Sequence, residues 1–158
     1  MKIDITEIKD NLGAMMNTAF ALEAEDRTIQ GQKISIIEPS NLELKVINSE
    51  GEYVIIGTVF LSLQVVCSRC LKEFKTTLEF EVKGEVSKTE VEDAEIDIST
   101  ILTEHIRLAV PMKYVCDEEC KGLCPNCGRN LNQEDCDCIM HKVDPRLAKL
   151  EKLLPDEE

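Results

Sequence analysis

The chain has 158 residues, enough for one domain with a continuous core and short of what two ordinary domains need. Its formal charge of −13, from 31 acidic and 18 basic residues, disfavours broad adhesion to nucleic acid, because phosphate binding draws its affinity from Lys and Arg; a basic protein partner suits it better. No apolar run has the length of a bilayer span, and the opening Met-Lys-Ile-Asp-Ile-Thr-Glu-Ile-Lys-Asp has no long apolar stretch for export, so the expectation is a soluble, cytoplasmic protein in a reducing compartment.

Ile3 and Ile5 suggest a strand at the amino terminus. Residues 11–24 fit two periods: Leu12, Met15, Met16 and Ala19 suit a helix, whereas Met16, Thr18, Phe20 and Leu22 suit a strand face, and the helix is the reading taken. The two methionines read as core filler. A strand is expected around Lys33 to Ile37. A second follows, in which Leu42, Leu44 and Val46 alternate with Glu43 and Lys45 before the turn residues Asn48-Ser49-Glu50-Gly51. Tyr53 to Val66 is rich in β-branched residues, with Val59, Leu61, Leu63 and Val65 facing one way and Thr58, Ser62 and Gln64 the other; Phe60 breaks the pattern. From Phe74 to Val86 the alternation is clear, with Phe74, Thr76, Leu78, Phe80, Val82 and Val86 opposite Lys75, Glu79, Glu81, Lys83 and Glu85.

Glu85 to Asp97 holds six carboxylates against one lysine and reads as a solvated loop. Beyond it, Ile98, Ile101, Leu102, His105, Ile106 and Ala109 recur at helical spacing, with Asp97 or Ser99 to cap the start and Pro111 to stop it. This predicts a helix over 98–110 that covers the sheet, with His105 as a satisfied core histidine. Further on, Asp144 suits a cap, Pro145 the first helical position, and Leu147, Leu150 and Leu154 form one stripe; so short a helix must dock to be stable. The expected architecture is α+β: a mainly antiparallel meander or partly open barrel in the 1–112 body, one covering helix, and a cysteine-rich zinc-binding appendage over 113–158.

The eight cysteines are Cys67, Cys70, Cys116, Cys120, Cys124, Cys127, Cys136 and Cys138, and the first 66 residues carry none. In a reducing compartment such pairs point to metal. Cys67-Ser68-Arg69-Cys70 falls at an expected hairpin tip, and two sulfurs at that spacing reach one tetrahedral ion at Zn–S distances near ~2.3 Å. Six more thiols lie within 23 residues: Cys116-x3-Cys120, Cys124-Pro125-Asn126-Cys127-Gly128 and Cys136-Asp137-Cys138. Short closure favours a local site of Cys124, Cys127, Cys136 and Cys138, leaving Cys67 and Cys70 to meet Cys116 and Cys120. A swap that joins Cys67 and Cys70 to Cys124 and Cys127 stays open.

Gly128 can take positive φ and turn backbone amides toward sulfur. His141 is close enough to replace one thiol. Eight thiolates divide into two closed sets of four, whereas catalytic zinc keeps an open position, so the expected cofactor is structural Zn2+, one or two ions. Two such sites would take the charge to about −17. With no Ser-His-acid arrangement, Gly-rich phosphate loop or H-E-x-x-H, the reading is non-enzymatic, with no small-molecule substrate. A redox role for Cys67 and Cys70 lacks the expected βαβ setting. Arg69, Lys72 and Lys75, joined by Arg107 and Lys113, make a small basic spot that could touch RNA, although nearby carboxylates balance it.

The segments Cys-Ser-Arg-Cys-Leu-Lys-Glu-Phe (67–74), Cys-Asp-Glu-Glu-Cys-Lys-Gly-Leu-Cys-Pro-Asn-Cys-Gly-Arg-Asn-Leu-Asn (116–132) and Asp-Pro-Arg-Leu-Ala-Lys-Leu (144–150) together resemble the YceD family, the large-ribosomal-RNA-subunit accumulation proteins. The resemblance runs from about Leu61 to Leu154 and rests on the ordered set, since any one pair is unspecific. It implies a bacterial cytoplasmic or plastid protein that supports accumulation of 23S ribosomal RNA, whose gene often neighbours one for a large-subunit ribosomal protein, and it implies no chemical reaction. Combined with the acidic surface, it points to a large-subunit ribosomal protein or pre-ribosomal particle as partner, with direct ribosomal RNA contact or thiol redox and metal handling as alternatives.

Overall fold

A computed structural model describes residues 1–91 and 93–138; the expected helix at 144–154 and His141 lie outside the described residues. The elements are β1 (Lys2–Asp4), β2 (Met15–Ala21), β3 (Glu25–Ile29), β4 (Gln32–Asn48), β5 (Glu52–Val66), β6 (Glu73–Ser87), a 3-10 turn (Lys88–Glu90), β7 (Glu95–Asp97) and α1 (Ser99–Ala109).

The main sheet is antiparallel, in the order β2-β4-β5-β6, with β3 pairing the first half of β4. Among the described residues it is an open meander whose strands close no barrel. β5 shows why it forms: Tyr53, Ile55, Val59, Leu61, Leu63 and Val65 are all buried on one face. Burial of an aliphatic side chain contributes about 1.5–3 kcal/mol, so a one-residue slip that turned this row to water is strongly disfavoured.

The 11–24 segment is a correction: Met15–Ala21 is a strand. Its sequence satisfies both periods, and the decision comes from its partner, since Leu42 to Ile47 of β4 offers a free edge to Phe20 through Met15. β4 is one strand of 17 residues where two were expected. Pro39 cannot join a ladder, and the register with β5 shifts between Ile37 and Asn41. Ser40 spans the gap: its hydroxyl donates to the Ile37 carbonyl at 2.8 Å and accepts the Ser62 N–H at 2.9 Å.

The second layer is α1 with the small β1–β7 sheet, whose Ile3 and Ile96 enter the same core as Leu102 and Ile106 of the helix. The acidic 85–97 stretch is therefore a loop only in part, since β6 runs to Ser87 and β7 begins at Glu95. α1 spans Ser99–Ala109 within the expected 98–110. Asp97 accepts the N–H and hydroxyl of Ser99 at 2.9 and 2.6 Å, although the N-cap residue is Ile98. The helix lies close because Gly84 has no side chain: a Cβ there would sit 2.8 Å from the Ile101 terminal methyl. His105 donates from Nδ1 to the Ile101 carbonyl at 2.8 Å and accepts the Lys83 N–H on Nε2 at 3.3 Å, so both ring nitrogens are used. Among the described residues, no helix is long and apolar enough to cross a membrane.

Candidate metal centre

Residues 67–72 make the turn between β5 and β6, and the chain leaving α1 returns to it: the Ser68 N–H donates to the Tyr114 carbonyl at 2.7 Å. That contact delivers Cys116 and Cys120 to Cys67 and Cys70. The four sulfurs lie within 4.8 Å of one another, with Cys67 to Cys120 at 3.9 Å and Cys70 to Cys116 at 3.6 Å. Cys124, Cys127, Cys136 and Cys138 form a second group within the same limit. The structure thus brings the thiols together in the first of the two partitions open to the sequence.

The donor set can be tested by distance. A disulfide needs sulfurs about 2.05 Å apart, whereas the corners of a ZnS4 tetrahedron with ~2.3 Å bonds are about 3.8 Å apart. The 3.6 and 3.9 Å separations belong to the second kind. Both clusters can hold a metal ion, and the chemistry of four thiolates suits zinc.

Local backbone prepares the sulfurs for charge. Burial works against the Cys67 thiolate, but the amides of Cys70, Cys116 and Arg69 aim at its sulfur and hold the thiol down to about 6. The amides of Cys127 and Asn126 do the same for Cys124, also to about 6. Close neighbours bear the opposite effect. Burial and the adjacent thiols push Cys116 up to about 12, and the contact of Cys138 with Cys127 leads the effects that push Cys138 up to about 11. Four crowded thiols share negative charge that a divalent cation relieves.

The turn at Cys124 is a small hairpin: Cys124 N–H donates to the Arg129 carbonyl and Gly128 N–H to the Cys124 carbonyl, both at 2.8 Å, with Gly128 at φ +74°. Leu123 pairs with Asn130 beside it. Cys127 is exposed, whereas Cys67, Cys70, Cys120 and Cys124 are buried.

Of the basic residues singled out, Arg69 is committed elsewhere. Its Nη1 donates to the Glu118 and Cys120 carbonyls at 3.0 and 2.9 Å, lacing the hairpin tip to the distal loop. Lys72 and Lys75 are exposed nearby; Arg107 and Lys113 are exposed as well, on or beyond α1.

Sequence reasoning missed two residues. Gly122 has φ +78°, and a Cβ there would lie 3.0 Å from the Arg69 carbonyl, which accepts the Leu123 N–H at 3.0 Å. Asn132 donates its side-chain amide to the Cys120 sulfur at 3.4 Å while its Oδ1 accepts the Lys121 N–H at 2.8 Å. A glycine between two cysteine pairs was the one available signal for the first; for the second there was none.

A family model described as "Large ribosomal RNA subunit accumulation protein YceD" matches residues 55–154, more than half of the chain and all eight cysteines. The chain belongs to the YceD family. Among curated YceD-like proteins, the chloroplastic "Large ribosomal RNA subunit accumulation protein YCED homolog 1" of Arabidopsis thaliana is 39% identical over 37% of this chain and 18% of its own length. The uncharacterized protein YlbN of Bacillus subtilis is 43% identical over 43% of this chain and 40% of its own length. The matched segments therefore span well under half of either relative. A Mycobacterium bovis protein, also uncharacterized, is 28% identical over 99% of this chain and 83% of its own length. No solved structure matches.

Proposed function

We propose that this YceD-family protein is a non-catalytic, zinc-binding factor that supports 23S ribosomal RNA accumulation and large-subunit assembly by binding a large-subunit ribosomal protein or a precursor particle. The family description and the name of the Arabidopsis relative supply the process. The observation that carries the physical role is the pair of four-sulfur clusters, one of which ties the β5–β6 turn to the loop after α1. When bound, zinc would hold four thiolates at the corners of a tetrahedron and leave no position for a substrate, so its contribution is shape. The protein's own residues do the rest: amides steady the sulfurs, Arg69 laces the two loops, and the acidic surface favours a basic partner.

The RNA-contact alternative has less behind it, because the Arg69 guanidinium is occupied by carbonyls. A redox pair is also less favoured, since Cys67 and Cys70 sit in one four-sulfur cluster with Cys116 and Cys120.

The test is metal analysis of protein purified under reducing conditions, joined to co-purification from its native cell. Two zinc equivalents and large-subunit precursors on the protein are expected. Metal-free, folded protein that never carries large-subunit proteins would overturn the proposal.

A further inference from the structure

β6 has an edge that no strand pairs among the described residues. β5 holds the other edge in unbroken register from Glu52 opposite Ser87 to Val66 opposite Glu73. In an antiparallel strand the backbone N–H and C=O groups of alternate residues point to opposite edges. Lys83 fixes which is which, because its N–H leaves the β5 ladder to meet His105. By alternation Glu81, Glu79, Thr77, Lys75 and Glu73 direct theirs to the open edge.

Among the described residues, α1 meets β6 around Lys83 and Gly84. Ile101 sits against Gly84 and His105 against Lys83, after which the helix crosses away: the Arg107 carbonyl accepts from the Gln30 side chain, and the Met112 carbonyl beyond the helix accepts from Gln32. A wedge therefore opens between α1 and the first half of β6. Its floor is Phe74, Leu78 and Phe80, all half-buried against the core. Leu108 shares the helix face of Ile101 and His105 and is 84% exposed, so the face that seats on β6 continues as bare apolar surface. Phe74 also packs against the first cysteine cluster, which links the wedge to the metal centre.

We propose that this wedge accepts an extended basic segment of a partner protein as an added strand on β6. The charge selects the occupant: the outer row alongside the open edge carries exposed Glu73, Glu79 and Glu81 against Lys75. Lys83 pairs with Glu81 at 2.9 Å, so Glu73 and Glu79 against Lys75 leave the row acidic. A strand alternating apolar and basic residues would place the first on Phe74, Leu78 and Phe80 and the second beside the carboxylates, while backbone hydrogen bonds hold it. The inference rests on the ribosomal-protein reading and gives it a docking site; it stands or falls by a separate measurement.

The probe is a peptide of about ten residues alternating lysine and valine, with the lysines replaced by glutamate as control, added to the intact metal-loaded protein. Binding of the lysine peptide should protect the amides of Lys75, Thr77, Glu79 and Glu81 from hydrogen exchange. Thr77→Pro removes an outward N–H without touching the β5 ladder and should weaken binding at least about tenfold. If that variant fails to fold, the exchange pattern of the unaltered protein decides. The inference is overturned by binding without protection of those amides or by equal binding of the glutamate peptide. It is equally overturned if the amides are protected before peptide is added, which would place this chain's own residues, or a second copy if protection rises with concentration, on the edge. Retention of large-subunit precursors by folded Thr77→Pro would sink the docking site and spare the function; their absence from the unaltered protein would do the reverse.

Discussion

Gly122 is the residue on which the geometry around the first cluster turns. Its φ of +78° is the left-handed region that an L side chain enters at a cost, and the Arg69 carbonyl 3.0 Å from its missing Cβ leaves no slack. Gly122→Ala should therefore destabilise the protein by about 1–3 kcal/mol. The measurement is the urea midpoint at unchanged slope, together with faster loss of zinc to a chromophoric chelator. A variant with unaltered midpoint and metal retention would show that the close approach does not matter. The cysteines themselves were legible because ligand spacing is local. Gly122, Asn132 and the carbonyl contacts of Arg69 were not, since each depends on residues about fifty positions apart, or on a turn, that only the folded chain brings together.

At the level of elements, strong alternation made β5 and β6 readable, and the apolar repeat made α1 readable. β2 was misread because its methionines and alanines satisfy two periods and only the waiting edge of β4 breaks the tie. β7 was hidden because three residues with one inward Ile96 give no period at all. The junction of β7 and α1 carries a pH prediction. The hydroxyl of Ser99, followed by its N–H, holds the Asp97 carboxyl well below the usual carboxylate range. A group depressed by folding stabilises the fold above its unfolded value near ~4, and that contribution fades as pH falls through the folded value. Asp97→Asn should accordingly flatten the loss of thermal stability between neutral pH and pH ~3, read by calorimetry at several pH values. An identical acid profile in the variant would mean that the Ser99 contacts are energetically silent.

Over the molecule as a whole, the apolar core of sheet and helix contains no cysteine among the described residues, and the buried Cys67, Cys70 and Cys120 form a separate cluster. Removal of metal should then loosen the chain unevenly. Chelation is expected to raise amide exchange across residues 116–138 and the 67–72 turn while the central amides of β5 keep their protection. Cys127 of the second cluster is exposed whereas Cys67 and Cys70 of the first are buried, which predicts that the second cluster is stripped before the first. Global unfolding on chelation would show instead that core and clusters are one cooperative unit.

The contact of Cys70 with Cys116 bridges 46 positions, and the bridged stretch contains β6, β7 and α1. While a ribosome is making this chain, the first two thiols emerge long before their companions, so the first cluster cannot close until the helix between them has been made. The second, built within 124–138, is made later still, but it encloses only its own loop. Closure of the first cluster is thus also a check that the body was finished, and without metal the finished body would be left with its clasp undone.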